Sequence, residues 1–392
     1  MNPVADLELV PTEVFENIVS LRRDLHRHPE LAWQEERTAG RITEALEKIG
    51  ITPTRLVGTA VIADLPGLSA GPMVALRADM DALPVHERTG LEFSSVNEGV
   101  MHACGHDGHS SMLVGAASLL AAADPLPVPV RLIFQPAEEA GAGADRLIEA
   151  GVLDGVGMIF GGHVDRHYPP GVIVVSEGTV NAATHRFAIE ITGKGGHGGR
   201  PHESIDAVVV GSLLVTALQT IVSREVDPAN PSVVSIGSFH AGHAPNVIAG
   251  QARLEGTIRA MDLESGAQLA DAVRRIADAV GQLHHAEVVV ESHEGLPPLI
   301  NSPEMAALAR EAACEVVGDG RVVPLRTANM GGEDFAEYLE HVPGAYIRYG
   351  GQVPGREGFP AHSSRFDFDE RALATGAAYL AAVARLAAMR LA

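Results

Sequence analysis

The segment MVALRADMDALP at residues 73–84 begins as a short apolar strand and runs directly into acidic residues. The same arrangement returns in VRLIFQPAEE at residues 130–139 and in MIFGGH at residues 158–163. Between such segments lie longer helical stretches, of which residues 108–122 are especially rich in Ala and Leu. Short apolar strands that alternate with helices predict an α/β fold with a mostly parallel sheet flanked by helices.

The same patterns predict individual elements of this first part of the chain. Strands are expected at residues 60–65, 73–77, 130–134 and 158–161. A first helix is expected to begin with Thr12 as its cap. Its apolar stripe is Val14, Ile18, Leu21 and Leu25.

Residues 184–291 follow a different pattern. Alternating strands and two helical stretches come in the order βαββαβ, which is typical of a ferredoxin-like unit. Because α/β patterns resume after about residue 295, we predict that this unit is inserted into the first domain. The predicted catalytic domain comprises residues 1–183 and 295–392, and the inserted domain comprises residues 184–294.

Composition limits the classes of partner. A hydrophobic fraction of 46% with 20% charged residues is typical of a folded globular protein. The net charge of −21 disfavours nucleic acid and membrane surfaces, because both are bound largely through Lys and Arg. We find no apolar run of the roughly 18 residues that a membrane span needs and no leader pattern at the start, and therefore expect a cytoplasmic protein. Cys104 and Cys314 are too few for a disulfide framework.

Residues of metal-binding type follow the predicted strands or begin a helix, where ligands gather in α/β sheets. They are Cys104, His106, Glu138, Glu139, His163 and His362. Thiolate, imidazole and carboxylate together suit zinc or a neighbouring transition metal, and five ligands are one too many for a tetrahedral site. We therefore predict two ions bridged by the Cys104 thiolate. Of the adjacent pair Glu138 and Glu139, one is expected to bind metal while the other takes a proton from bound water.

Taken singly, each of these residues has a simpler explanation. A lone cysteine is more often a buried apolar residue, and a pair of glutamates is usually solvated surface. Asp107 could hydrogen-bond an imidazole or cap a helix. Several flanking histidines could orient ligands rather than bind metal: His102, His109, His202, His240 and His243.

A series of longer motifs runs along nearly the whole chain. They are RADMDALP (77–84), MHACGHDGH (101–109), FQPAEE (134–139), GGHV (161–164), KGGHGGRPH (194–202), APNVIAG (244–250), LEGTIR (254–259), GGED (331–334) and HSSRFDFDE (362–370). In this order they resemble the co-catalytic metallopeptidases that include aminoacylase, hippurate hydrolase and the plant hydrolases of indole-acetyl amino acid conjugates. With a cysteine at the bridging position, the sequence resembles the amidohydrolase branch of the family, whereas peptidase relatives carry an aspartate there.

The resemblance implies a metal-dependent exopeptidase-like fold and hydrolysis of N-acyl amino acids. It implies that Glu138 is the general acid/base and that Asp81 orients the site. The implied ligands of two divalent ions, zinc most readily but also manganese, cobalt or nickel, are Cys104, His106, Glu139, His163 and His362.

For the inserted domain, the resemblance implies a lid that forms the contact of a homodimer. His197 would reach an active site, often the partner's, and stabilise the oxyanion. Asn246 and Arg259 match positions that hold the substrate carboxylate, which would let an acidic protein bind an acid. HSSRF in place of HSPRF, and GGED in place of GSED, depart from the common pattern without removing a ligand.

Other functions remain open on the sequence. A dipeptidase or carboxypeptidase could use the same scaffold, and Cys104 could instead be the nucleophile of a cysteine amidase. A binding protein without activity is a third reading, but a free base beside a ligand has no use in binding alone.

Overall fold

The computed structural model describes residues 9–356 and 359–392. Its helices are α1 (Thr12–Arg27), α2 (Glu36–Lys48), α3 (His106–Ala121), α4 (Gly143–Glu149), α5 (Ala207–Thr220), α6 (Leu263–His284), α7 (Pro303–Val317), α8 (Phe335–Leu339) and α9 (Arg371–Leu391). Its strands are β1 (Thr54–Arg55), β2 (Val61–Leu65), β3 (Met73–Asp79), β4 (Val130–Gln135), β5 (Val156–Asp165), β6 (Ile173–Val174), β7 (Gly178–Asn181), β8 (Ala183–Thr192), β9 (Gly196–His197), β10 (Ser232–Ala241), β11 (Val247–Ile248), β12 (Gln251–Ala260), β13 (Glu287–Glu294), β14 (Leu299–Asn301), β15 (Val322–Val323) and β16 (Gly344–Gly350).

The chain forms two compact units. The first unit runs up to Val180 and resumes in Ile300–Thr327 and Asp334–Ala392. The second unit comprises Asn181–Leu299 and Ala328–Glu333. The second unit therefore interrupts the first along the chain.

An eight-stranded sheet forms the centre of the first unit, in the order β1-β2-β4-β3-β5-β16-β6-β15. Its four middle strands, β4, β3, β5 and β16, run parallel to one another. Antiparallel pairs occur towards the edges, between β1 and β2, β2 and β4, and β16 and β6. The predicted α/β fold with a mostly parallel sheet is confirmed, and the parallel strands end at one edge of the sheet.

Helix α3 is buried along most of its length, and it begins at His106. Its Gly115 faces α9, where an added Cβ would lie 2.8 Å from the Cβ of Ala377. Glycine therefore permits the two helices to approach closely. This packing fixes the helix that presents His106.

Helix α1 begins one residue earlier than the prediction of Thr12 as its cap requires. Thr12 is its first helical residue, and Pro11 takes the cap position without a side-chain hydrogen bond. The prediction of Thr12 as the cap was wrong, because Pro11 has the extended backbone that precedes a helix and starts it without a polar side chain. The predicted apolar stripe is confirmed, since Ile18, Leu21 and Leu25 are buried.

The second unit contains the βαββαβ order of β8, α5, β10, β12, α6 and β13. Its four strands form an antiparallel sheet in the order β10-β12-β8-β13, as in ferredoxin-like folds. Asp206 caps α5 by accepting a hydrogen bond from the Val208 N–H. A separate two-stranded antiparallel ladder pairs β9 with β11.

Two segments are long and apolar enough to cross a membrane by length and composition, although the sequence prediction found none. In Arg371–Leu391, 72% of the apolar window is buried within the protein, as expected for a core helix. In Ala207–Glu225 the buried share is 33%. Both contain arginine, so neither appears as an uncharged run of about 18 residues.

Candidate dinuclear metal centre

The candidate site in the first unit is built where the middle strands of the sheet end. Strand β3 ends at Asp79, two residues before Asp81, and β4 ends shortly before Glu138. Strand β5 is longer than predicted and contains His163. Because these strands run parallel, their carboxyl ends bring these side chains to the same edge of the sheet.

Two groups of possible metal ligands share the thiol of Cys104. One group joins Cys104 to His106 and His163, and the other joins it to Glu139 and His362. Within each group the ligand atoms lie within 4.8 Å of one another. In the first group, Sγ of Cys104 is 3.2 Å from Nε2 of His163. In the second, Nε2 of His362 is 3.2 Å from Oε1 of Glu139.

Hydrogen bonds set which ring nitrogen each buried histidine offers. Nδ1 of His106 lies 3.1 Å from Oδ1 of Asp81, and Nδ1 of His163 lies 2.7 Å from the Val164 carbonyl oxygen. Both acceptors require a proton on Nδ1, so each ring keeps the lone pair of Nε2 for a metal. A carboxylate or carbonyl behind a histidine is the usual support of a metal ligand.

Asp81 holds two parts of the site at once. Its Oδ1 accepts from His106, and its Oδ2 accepts from the backbone N–H of Glu139 at 3.0 Å. The carboxylate is buried. One side chain therefore fixes His106 relative to the turn that carries Glu138 and Glu139.

His362 comes from the far end of the chain and is held beside Cys104. Its N–H donates to the carbonyl of Ala103 at 2.7 Å. Its φ of 68° lies in the left-handed region, which is uncommon for a residue other than glycine.

The electrostatics of the site suit a cation. Burial opposes protonation of His106, but the carboxylates of Asp79 and Asp81 outweigh burial and raise the pKa of its imidazole well above the usual value. Burial, with His109 and Arg348 nearby, lowers the pKa of His163 well below the usual value and keeps that ring neutral. Negative charge thus surrounds one imidazole, while the other offers an uncharged lone pair.

A buried atom supports the fit of the site to metal. Nε2 of His106 is buried and has no hydrogen-bond partner among the described residues. Burial, followed by the carboxylate of Glu139, raises the pKa of the Cys104 thiol well above its usual value. A bound cation would give Nε2 of His106 a partner and would favour the thiolate. The residues present therefore fit divalent metal ions.

His109 supports the site without acting as a ligand. Its Nδ1 lies 2.6 Å from Oδ1 of Asp79, and its Nε2 accepts the backbone N–H of Val164 at 2.9 Å. Both nitrogens are thus occupied, and Val164 adjoins His163. Behind Asp79, Arg77 donates to its Oδ2 at 2.6 Å. The sequence suggested an orienting role for His109 but did not indicate Arg77.

Asp107 bonds an imidazole, although not that of its neighbour His106. Its Oδ2 lies 2.9 Å from Nδ1 of His26 and 3.0 Å from Nε of Arg22. Asp107 therefore ties the start of α3 to α1.

His102 is buried, and both of its ring nitrogens lack a hydrogen-bond partner among the described residues. Burial lowers the pKa of His102 to about 3, so its ring is neutral.

The remaining predicted site residues belong to the second unit. His197 is exposed, and its Nδ1 accepts the backbone N–H of Gly199 at 2.9 Å, which leaves a proton on Nε2. The segments of His197 and Asn246 are joined, because Gly198 N–H donates to the Asn246 carbonyl at 2.8 Å. No carboxylate among the described residues pairs with Arg259, and burial with nearby Arg186 lowers its pKa.

Known peptidases and a deacetylase are similar to this chain. The model of peptidase family M20/M25/M40 matches residues 75–386. An N-acetylcysteine deacetylase of Bacillus subtilis is 40% identical, over 94% of this chain and 96% of its own length. Thermostable carboxypeptidase 1 of Saccharolobus solfataricus is 39% identical, over 96% of this chain and 97% of its own length. A crystal structure of a dinuclear metal-binding peptidase from Bacillus subtilis has a TM-score of 0.85 and 36% identity, and covers 97% of this chain and 99% of that one.

Proposed function

This chain belongs to peptidase family M20/M25/M40, and we propose that it is a dinuclear metal-dependent amidohydrolase that cleaves N-acyl amino acids. The observation that carries the proposal is the sharing of Cys104 by two groups of ligand-type residues. Two neighbouring ions are commonly held by a shared ligand, and a thiolate can serve as that ligand. The similarity to an N-acetylcysteine deacetylase supports the substrate class.

We assign Cys104 as the bridge between the two ions. His106 and His163 would hold one ion, and Glu139 and His362 the other, which uses all five predicted ligands. Ions bound there would lower the pKa of a water molecule and polarise the amide carbonyl. The thiolate and imidazole ligands favour zinc, but manganese, cobalt and nickel suit the same donors.

Glu138 is the proposed general acid/base. Its Oε2 lies 3.9 Å from Nε2 of His106, so the carboxylate stands beside a proposed ligand atom. Its side chain is 10% exposed, and a carboxylate in such surroundings is suited to exchange protons. Glu138 accepts a proton from the attacking water and delivers it to the departing amine.

His197 is the proposed donor to the oxyanion. The hydrogen bond from Gly199 requires a proton on Nε2, which is the form that can donate to an oxyanion. Its exposed position on a glycine-rich segment is compatible with donation to a substrate. Complementation between two inactive variants separates action in its own chain from action in the partner subunit.

Arg259 and Asn246 are the proposed site for the substrate carboxylate. Arg259 is half-buried, and its guanidinium has no carboxylate partner among residues 9–356 and 359–392. A guanidinium that is partly desolvated and unpaired binds a carboxylate strongly. The exposed amide of Asn246 supplies a second donor.

We propose that residues 184–294 act as a lid and form a homodimer. Helix α5 supports this, because its solvent side carries exposed apolar residues, among them Val208, Val209 and Leu213. A second copy that covers them would remove this apolar surface from water. We also propose a cytoplasmic location. The net charge of −21 supports an enzyme without nucleic-acid or membrane partners.

A carboxypeptidase or dipeptidase is the second candidate, favoured by the similarity to a thermostable carboxypeptidase. Turnover of N-acetyl and N-benzoyl amino acids, compared with free dipeptides and N-blocked peptides, separates the two. The proposal expects higher kcat/KM for the N-acyl amino acids. Inhibition by chelators and recovery with metal tests the cysteine-nucleophile alternative, which predicts activity without metal.

A further inference from the structure

Glu35 is a buried carboxylate that the proposed mechanism does not use. It is fully buried, and no arginine, lysine or histidine pairs with it among the described residues. Burial raises the pKa of Glu35, which reflects the cost of placing a carboxylate there. A buried acid without a counter-ion is uncommon, and its hydrogen bonds indicate what it does.

Both oxygens of Glu35 hold segments that are distant along the chain. Oε2 accepts from the hydroxyl of Thr59 at 2.6 Å, and Oε1 accepts from the backbone N–H of Ala137 at 3.0 Å. Glu35 also precedes the first residue of α2, where the partial positive charge of a helix start favours a carboxylate. The helix start thus supplies part of the stabilisation that a cation would give.

Ala137 needs this support because its backbone is strained. It is buried and has a φ of 59°, in the left-handed region that disfavours residues with a Cβ. Such a conformation persists only where neighbouring contacts hold it. Ala137 lies between Pro136, which directly follows the last residue of β4, and Glu138.

The segment around Glu138 is therefore anchored on both sides. Glu35 accepts the N–H of Ala137, and Asp81 accepts the N–H of Glu139 at 3.0 Å. We propose that Glu35 is a positioning residue, which holds Ala137 in its left-handed conformation and so aims the carboxylate of Glu138. The proposal rests on the proposed role of Glu138 and adds a residue that touches neither substrate nor metal.

The test compares Glu35→Ala with Glu35→Gln. Glutamine keeps an oxygen for the Ala137 N–H and a donor for the Thr59 hydroxyl, whereas alanine removes both bonds. We expect Glu35→Ala to lower kcat about 100-fold, the loss that a displacement of roughly 1 Å produces, with KM within about twofold. Glu35→Gln should stay within about threefold of the parent. Glu36→Ala is the matched control, because Glu36 adjoins Glu35 but is exposed.

Hydrogen exchange of the peptide that spans residues 135–141 gives a readout independent of activity. Glu35→Ala should speed exchange there, and Glu35→Gln should not. Parental kcat in Glu35→Ala, or an equal loss in both variants, overturns the proposal. Glu138→Gln separates it from the function on which it rests. If Glu138→Gln is fully active, the proposed base is wrong; if it is inactive while Glu35→Ala is fully active, only the positioning role fails.

Discussion

Sγ of Cys104 lies 3.2 Å from Nε2 of His163, and the hydrogen bond from Nδ1 of His163 to the Val164 carbonyl leaves that Nε2 without a proton. The thiol and the imidazole therefore lie close together at the two atoms that would bind a metal. The same thiol also belongs to the group that contains Glu139 and His362. A single cysteine at the junction of two ligand groups would let one thiol serve both ions of the proposed site.

Replacement of Cys104 by serine should remove at least one of two bound ions, because the hydroxyl is a poor bridging ligand for zinc-like metals. We expect kcat to fall by on the order of 100-fold or more. Elemental analysis of the purified protein measures the metal content. Cys314→Ser is the control, since Cys314 lies outside the ligand groups. Two tightly bound ions per chain in Cys104→Ser would contradict the bridge.

Glu138→Gln should keep both ions and lose most of kcat. The amide has nearly the shape of the carboxylate but cannot take the proton of water, so the expected loss is about 100- to 10,000-fold. Metal analysis together with steady-state kinetics checks this. A variant that loses metal as well as activity would make Glu138 a ligand instead of a base.

His197→Ala should lower kcat by about 100- to 1,000-fold if Nε2–H stabilises the oxyanion, with a smaller change in KM. His202→Ala is the control, because His202 lies on the same exposed segment. Mixing His197→Ala chains with Glu138→Gln chains adds a further test. Activity that returns on mixing shows that His197 acts in the partner subunit, and an unchanged kcat in His197→Ala alone removes it from the mechanism.

Arg259→Ala should weaken the binding of substrates that carry a free carboxylate. Loss of a charge-assisted hydrogen bond predicts a fall in kcat/KM of about 10- to 100-fold for N-acyl amino acids. The corresponding N-acyl amino acid amides should be much less affected. Arg253→Ala is the control, since Arg253 lies on the same strand but pairs with Glu190 and Glu255. Equal losses for acids and amides would exclude the carboxylate role.

Glu87 should make stability depend on pH in the acid range. Burial raises the pKa of Glu87, but hydrogen bonds from His26, Thr89 and Ser95 outweigh burial and lower the pKa to about 2 from the usual 4.5. Because the pKa of Glu87 is lower in the folded than in the unfolded protein, its ionised carboxylate stabilises the fold above pH 4.5. This contribution is lost as the pH falls towards 2. Glu87→Gln should therefore unfold more easily than the parent at pH 7, by ~1–2 kcal/mol.

The measurement for Glu87 is denaturant unfolding at a series of pH values. The difference between the parent and Glu87→Gln should shrink as the pH falls below 4.5. Glu98→Gln, at an exposed glutamate of the same segment, serves as the control. A difference that stays constant down to the lowest accessible pH would show that the charge of Glu87 does not carry the effect.

Much of the fold could be predicted because it follows from the spacing of apolar residues along strands and helices. Apolar strands separated by buried helices indicated the parallel sheet, and the βαββαβ order indicated the second unit. The candidate ligands could be predicted because parallel strands end at one edge of the sheet, so that Glu139 and His163 were expected at that same edge. The cap of α1 was missed because Pro11 can start a helix without a polar side chain.

Asp81 and His109 were expected to orient the site, but the particular hydrogen bonds that support it could not be predicted, because they join segments with no sequence relation. The bond from Ala137 to Glu35 spans 102 positions. That from Val164 to His109 spans 55 and uses a backbone N–H, which carries no sequence signal. The left-handed conformation of Ala137 also has no signature, since alanine does not favour it.

The central claim is that two divalent ions, held by residues around Cys104, are required for the hydrolysis of N-acyl amino acids. Titration of the metal-free enzyme with zinc or manganese tests it most directly, with bound metal and turnover of N-acetyl amino acids followed in the same samples. The account predicts no turnover without metal and full turnover as the second ion binds. Turnover in the metal-free enzyme, or full turnover with only one ion bound per chain, would contradict it.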